Sequence, residues 1–227
     1  MKDKVWAILP ARGGSKGIKS KNSKKLGRLP LIAHTIIMLK KSKCFEKIIV
    51  SSDSDKILDI SKKYSVMTHK RINPIHSNDF SMPELTVIEF LKTIKKINLP
   101  KFIFMVACTS PFTKPSTLQK ALKILKKNSH GTVFAAQESH YFLWKEDKKN
   151  KNFLPIGHPF KKRLGRQYSD KQINETGAFY AFNTKNFLKA KHRFFSTAFP
   201  CLVEAPENVD INDMNEWKYA EYLIKKK

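Results

Sequence analysis

The residues best placed to do chemistry lie between Leu9 and Asn22, in the run LPARGGSKGIKSKN. They follow a short apolar run, Val5 to Leu9, that reads as a buried strand. Gly13, Gly14 and Gly17 allow backbone N–H groups to approach a ligand closely. Arg12, Lys16 and Lys21 bring positive charge to the same turn, Arg12 as a planar fork that fits phosphate oxygens. The spacing is neither GxxxxGK[ST] nor GxGxxG. A glycine-rich turn with solvated lysines is the competing reading. Four basic residues and Asn22 within eleven positions of a strand end favour a site for a polyphosphate chain.

The elements that must position this turn follow from the apolar pattern. Strands are expected at Val5–Leu9, Lys47–Ser51, Ser65–Thr68, Phe102–Val106 and Thr132–Ala136. Between them, helical periodicity spans Pro30 to about Met38, Ser54 to Tyr64 with Ser54 as a cap, Leu85 to Ile97, and the stretch from Ser116. Such alternation predicts an α/β fold, a doubly wound, mostly parallel sheet with helices on both faces, whose ligands bind beyond the carboxyl ends of the strands. From Glu138 to Asp170 the chain turns polar, lysine-rich and irregular, an excursion from the core. Strand character resumes at Gly177–Phe182 and Cys201–Ala205, and Met214–Ile224 closes the chain as a helix. The whole of 1–227 reads as one domain with an inserted arm at about 138–170.

Composition narrows the function. The chain has 227 residues, a formal net charge of +25 and 41% hydrophobic residues, which argues for a globular protein and against disorder. Only six of the 44 basic residues are arginine, and the lysines are spread along the chain, often in pairs. Sequence-reading nucleic-acid proteins lean on arginine, so the charge reads first as a lysine-biased solvated surface. Three widely spaced cysteines make neither a disulfide framework nor a zinc site, so a reducing cytoplasm is expected. No apolar run approaches a membrane span, and the seven histidines show no metal-ligand spacing.

The opening loop, continued by KKLGRLPLIAHTI, resembles the nonulosonate cytidylyltransferases: the CMP-sialic acid synthetases (acylneuraminate cytidylyltransferases), with the CMP-Kdo synthetases as more distant relatives. The resemblance continues in order through IIVSSDSDKI, SNDFSMPELTVIEFL, VACTSPFTKPSTLQKAL, GRQYSDKQINETGAFYAF and VDINDMNEWKYAE, so it covers essentially the whole chain. It implies a Rossmann-like fold and an enzyme that joins CMP from CTP to the anomeric hydroxyl of a sialic-type nonulosonic acid, releasing pyrophosphate with Mg²⁺ or Mn²⁺ as cofactor.

The same resemblance implies roles. Arg12, Gly13, Gly14, Ser15, Lys16, Lys21, Asn22, Arg71, Asp79 and Ser81 would bind CTP, with Lys21 stabilising charge on the leaving pyrophosphate. Thr109, Arg166, Gln167, Glu175, Gly177 and Tyr180 would line the sugar pocket, Arg166 gripping the sugar carboxylate and counted, with Arg12 and Lys21, among the catalytic residues. Phe194 and Phe195 resemble an aromatic pair against the acyl side of the sugar; ordinary core packing is the equal alternative. Asp210 and Asn212 match a family Asp-Ile-Asp, and side chains two apart on an extended segment share one face, which suits one hard divalent cation. Asp210 could instead serve as a turn or helix-cap residue. The chain departs from the family at Pro83, Ala107 and Asn212. In relatives the arm reaches across a homodimer and helps close the neighbouring sugar pocket. No nucleic acid or membrane insertion is expected. The other readings are a transferase for another sugar acid, such as Kdo, or a basic nucleic-acid-binding module on this fold.

Overall fold

The computed structural model describes residues 3–72, 82–161, 165, 168 and 171–226. Its strands in chain order are β1 (Val5–Pro10), β2 (Lys25–Leu26), β3 (Leu29–Pro30), β4 (Lys47–Ser52), β5 (Met67–Lys70), β6 (Phe102–Val106), β7 (Thr132–Ser139), β8 (Leu143–Asp147), β9 (Asn152–Ile156), β10 (Gln172–Asn183) and β11 (Ala198–Leu202). The helices are α1 (Leu31–Ser42), α2 (Asp55–Lys62), α3 (Pro83–Lys92), α4 (Pro115–Lys127), α5 (Thr184–Ala190) and α6 (Met214–Lys225).

Seven strands form one sheet in the order β11-β7-β10-β6-β1-β4-β5. Strand β1 pairs in parallel with β4 and β6, β4 with β5, and β11 with β7. Only β10 runs antiparallel, to both β6 and β7. The sheet is therefore a doubly wound, mostly parallel, Rossmann-like sheet. From β1 the chain crosses to β4 on one side and later returns to β6 on the other, so the strand order switches at β1 and opens a crevice at its carboxyl end.

Alternation along β1 builds the core. Val5, Ala7 and Leu9 point to the face covered by α1, α2 and α4, where Ile36, Ile57, Leu118 and Leu125 are buried. Trp6 and Ile8 point to the opposite face, against Val87 and Leu91 of α3 and Phe187 of α5. A third apolar cluster seats α6: Trp217 and Ala220 pack on Ile18, Leu26, Phe112 and Ile211, which fixes the opening loop to the closing helix.

Element boundaries differ from the sequence reading in instructive ways. Helix α3 ends at Lys92 and gives way to a short 3₁₀ turn over Lys96–Asn98, so the apolar stripe expected to reach Ile97 stops early and Ile97 stands exposed. The last strand lies at Ala198–Leu202, earlier than expected, because it extends along β7 in register from Thr132. Ser54 occupies the cap position of α2, but its side chain makes no cap hydrogen bond. The 138–170 excursion carries a separate two-stranded hairpin, β8–β9. It exposes Leu143, Trp144, Phe153, Leu154 and Ile156.

Candidate active site

A cleft of about 440 Å³ opens at the carboxyl ends of β1 and β6, lined by Arg12, Ser15, Lys16, Gly17, Lys21, Asn22, Arg71, Thr109 and Asn212 among others. Its first wall is the loop after β1. Ala11 N–H still donates to Ser51 O of the neighbouring strand (2.9 Å), which carries the sheet ladder to the mouth of the loop. The Gly13 N–H then donates to Asp53 Oδ1 (2.7 Å) and Asn22 Nδ2 to Arg12 O (3.0 Å), so both ends of the loop are held by side chains. The Asn22 carbonyl oxygen is buried without a hydrogen-bond partner, an acceptor at the cleft.

Gly17 ties this wall to the next. A Cβ there would lie 2.2 Å from the backbone oxygen of Asn212, so only glycine lets the two segments touch. The segment 209–213 is further held by Ile211 N–H donating to Thr109 O (2.9 Å). Lys21 Nζ crosses to donate to Ile211 O (2.5 Å). Burial pulls the Lys21 ammonium below the ordinary lysine value, and the nearby Asp210 carboxylate opposes that shift.

Asp210 and Asn212 do share a face, as their spacing predicts. The Asn212 amide donates its N–H to Asp210 Oδ2 (3.0 Å), so it faces the carboxylate as a donor through its nitrogen, and its side-chain oxygen is not used in that bond. Asp210 Oδ1 is buried with no hydrogen-bond partner. The helix cap is Asp213, which accepts from Asn215 N and Glu216 N in a full capping box, leaving Asp210 free of that structural duty. Among the described residues no group of three or more His, Cys, Asp or Glu could hold a metal by itself.

Arg71 enters from the end of β5. Its Nη2 donates to Ser51 O (2.9 Å) and its Nε to Ser51 Oγ (3.4 Å), while His69 Nδ1 meets the same hydroxyl at 2.9 Å. Burial lowers the Arg71 value, opposed by Asp53 and Glu89, yet a guanidinium stays charged at any ordinary pH. On the floor, burial pushes the Cys108 thiol up to about 12, so it is a neutral, inert group there.

Strand β10 pairs antiparallel with β6, beside the cleft. Its pairing with β7 shifts register between Glu175 and Tyr180, and Gly177 in this bulge has φ +74°, where a Cβ would be 4.0 Å from Asp210 Oδ2. The Tyr180 hydroxyl donates to Glu175, and burial with that contact pushes the phenol up to about 12. Phe194 meets Tyr180 edge-on (5.8 Å) and Phe134 likewise (5.5 Å). Phe195 packs towards Phe182 (6.5 Å). Both phenylalanines sit in a loop, not on a strand, and both pack on the apolar cluster beside β10.

The structure thus gathers Arg12, Ser15, Lys16, Lys21, Asn22, Arg71, Thr109 and Asn212 at one cleft, with Asp210 bonded to Asn212 next to it. Glu175, Gly177 and Tyr180 lie together on the bulge, and Gly13 and Gly14 lie in the loop, Gly14 with open space where a Cβ would be. Asp79, Ser81, Arg166 and Gln167 lie outside the described residues. Sequence reasoning missed Asp53, Ser51 and His69, which buttress the cleft from behind, and the ion pair of Glu84 with Arg193.

A switch-point crevice carrying two guanidinium groups, two ammonium groups and a close-approach glycine loop defines an anion-binding α/β protein of the nucleotide-binding kind. Comparison with known proteins agrees: the family described as Cytidylyltransferase matches residues 6–155, and the chain belongs to it. It is 30% identical to the N-acylneuraminate cytidylyltransferase of Oncorhynchus mykiss, over 97% of this chain and 50% of that one. It is 29% identical to the CMP-N,N'-diacetyllegionaminic acid synthase of Legionella pneumophila, over 97% of this chain and 96% of that one. The chain therefore spans about half the length of the first relative and nearly all of the second. A solved CMP:2-keto-3-deoxy-manno-octonic acid synthetase, complexed with CTP, overlays with a TM-score of 0.74 at 11% identity, covering 98% of this chain and 99% of that one, a likeness of fold.

Proposed function

We propose that this protein transfers CMP from CTP to the anomeric hydroxyl of a sialic-type nonulosonic acid. The hydroxyl oxygen forms a bond to the α-phosphorus, the bond from that phosphorus to the bridging oxygen of the β-phosphate breaks, pyrophosphate leaves, and the hydroxyl proton passes to solvent. The observation that carries this reading is the cleft itself: Arg12, Lys16, Lys21 and Arg71 face it together at the strand ends, a charge set matched to a triphosphate. Relatives named for acylneuraminate and legionaminic acid support the sugar class.

The residues fit a hard divalent cation, Mg²⁺ or Mn²⁺. Asp210 Oδ1 is a buried, unpartnered carboxylate oxygen, and a single carboxylate completed by substrate phosphates is an ordinary Mg²⁺ site. Such a cation supplies charge neutralisation on the phosphates. Asp210 would hold it, with Asn212 hydrogen-bonded to the carboxylate and its amide oxygen available as a second ligand, and Lys21 would remain beside the leaving pyrophosphate.

The arm supports a homodimer. A lone two-stranded hairpin is marginally stable in water, and this one exposes Trp144, Phe153 and Leu154. Replacing Trp144 and Phe153 by Glu should convert dimer to monomer in sedimentation while leaving the melting temperature within a few degrees; an unchanged mass removes the arm from the interface. A cytoplasmic location fits the three free cysteines; no helix among the described residues is long and apolar enough to cross a membrane.

The test of the function is pyrophosphate release from CTP and Mg²⁺ with a panel of nonulosonic acids and Kdo. Release with a nine-carbon acid is expected. Release with Kdo alone moves the assignment to the other sugar acid. No release with any acid, together with tight salt-sensitive nucleic-acid binding, overturns the enzyme reading.

A further inference from the structure

Strands β4 and β5 run in parallel with Ser51 opposite His69, so both side chains stand on one face of the sheet, and Arg71, two residues beyond His69, continues on that face. The ladder reaches this far, because Arg71 N–H donates to Ser52 O (2.9 Å). Ser51 is the junction. It is fully buried, and its carbonyl oxygen accepts from Ala11 N–H at the mouth of the glycine loop (2.9 Å) and from Arg71 Nη2 (2.9 Å). Its hydroxyl meets Arg71 Nε (3.4 Å) and His69 Nδ1 (2.9 Å). One residue thus holds one edge of the Arg71 guanidinium. His69 stands behind that residue, edge-on to Phe90 of α3 with 5.3 Å between ring centres. Arg71 lines the cleft; Ser51 and His69 are not among the described residues that line it.

Proton placement follows from what each group can do. A guanidinium only donates, so the Ser51 hydroxyl accepts from Arg71 Nε and keeps its one proton for His69 Nδ1. That arrangement requires a neutral ring with its own proton on Nε2. Burial lowers the His69 value, with Arg71 acting in the same direction and Glu89 opposing, so the ring is uncharged at neutral pH. An arginine has many rotamers, and fixing one of them before the ligand arrives removes that ordering cost from binding. We propose that His69, acting through the Ser51 hydroxyl, is a positioning residue for Arg71 and sets affinity for the phosphate chain of CTP without touching it. This rests on the reading of the cleft given above.

The experiment uses the full chain with His69→Phe, His69→Asn, Ser51→Ala and the double variant Ser51→Ala/His69→Phe, and CTP with Mg²⁺ as the probe. CTP affinity by calorimetry should fall about fivefold in His69→Phe, the scale of one hydrogen bond. His69→Asn, whose amide oxygen can stand where Nδ1 stood, should stay within about twofold of the wild type. In the double variant the change at His69 should add nothing to the loss from Ser51→Ala, because the relay is already cut. Wild-type affinity in His69→Phe overturns the proposal. So do losses that add in the double variant, or a loss in His69→Asn as large as that in His69→Phe. A second measurement needs no variant. Nitrogen NMR of the wild type should show His69 neutral with its proton on Nε2, and a proton on Nδ1 instead overturns the relay. If the wild type binds no CTP, the site reading fails by itself, and the relay is then judged by this signature alone.

Discussion

The cleft's loop wall and the region around β10 beside it are made differently. The loop side is a contact between two short continuous stretches, 11–22 and 209–213, brought so close that Gly17 has no room for a methyl group against Asn212 O. Of its cations Lys16 is exposed, while Arg12 and Lys21 are half-buried. The other region is assembled from α3, the β10 bulge and the loop before β11; there Glu84 is buried and paired with Arg193, and the exposed Glu175 accepts from Tyr180. One wall offers cations to a ligand that brings the negative charge. The other pairs Glu84 with Arg193 and packs Tyr180 and Phe194 against that pair.

The largest effect should come from the first wall. Arg12→Ala removes a guanidinium from the phosphate site, and activity in pyrophosphate release should fall by roughly 10²–10³-fold, the scale of losing one preorganised charge-stabilising group. The melting temperature should hardly change, because Arg12 is not part of an apolar cluster. Turnover like that of the wild type would remove Arg12 from the site.

Gly17→Ala comes next and acts through packing. The added Cβ would sit 2.2 Å from a backbone oxygen, which no rotamer change relieves, so the 209–213 segment must move. Overpacking of this kind costs about 1–3 kcal/mol, visible as a lower melting temperature and weaker CTP binding by calorimetry. Hydrogen exchange at 191–197 should stay as it is. If that loop loosens as well, the two walls are one cooperative unit and the contrast between them fails.

This contrast also explains what was legible in the sequence. The glycine-rich loop declared itself because it is local, with glycines and cations within a few positions of a strand end, whereas the VDIN segment was legible only through its resemblance to a family motif. The alternating runs gave the sheet, and one antiparallel strand, β10, escaped because periodicity does not encode direction. The Glu84–Arg193 pair left no local signal, since its partners are 109 residues apart and each alone reads as a surface charge. Asn212 was legible as a departure but not as a donor, because an amide offers both an acceptor and a donor and only its neighbour Asp210 selects. Phe194 and Phe195 were ambiguous for a related reason: the loop that carries them has no periodicity to say which ring faces the core.

A smaller effect should separate the walls by pH. Burial disfavours the charged form of Lys21, so its ammonium loses its proton at a lower pH than an ordinary lysine. The charged form is the useful one beside pyrophosphate, so kcat/KM for CTP should decline on the alkaline side earlier than an exposed lysine would dictate. Lys21→Arg, whose charge persists, should move that limb upward at some cost in rate. The limb staying in place in Lys21→Arg would assign it to another group. Variants of the Glu84–Arg193 pair should leave the limb alone.

The smallest effect concerns the charge that belongs to neither wall. The net +25 is spread over the chain, and Lys123, Lys126 and Lys127 are exposed towards the end of α4. That helix starts after β6, where the cleft lies, and its 13 residues carry its far end about 20 Å away at ~1.5 Å per residue. At physiological salt the screening length is about 8 Å, so these charges are felt weakly at the cleft. Replacing all three by Gln should lower kcat/KM by no more than about twofold at low salt and leave it unchanged at physiological salt, since distant cations act only on encounter. A larger loss that persists in salt would mean that the lysine surface itself binds substrate. The site would then extend beyond the two walls, and the few cations at the cleft would no longer account for recognition of the phosphates.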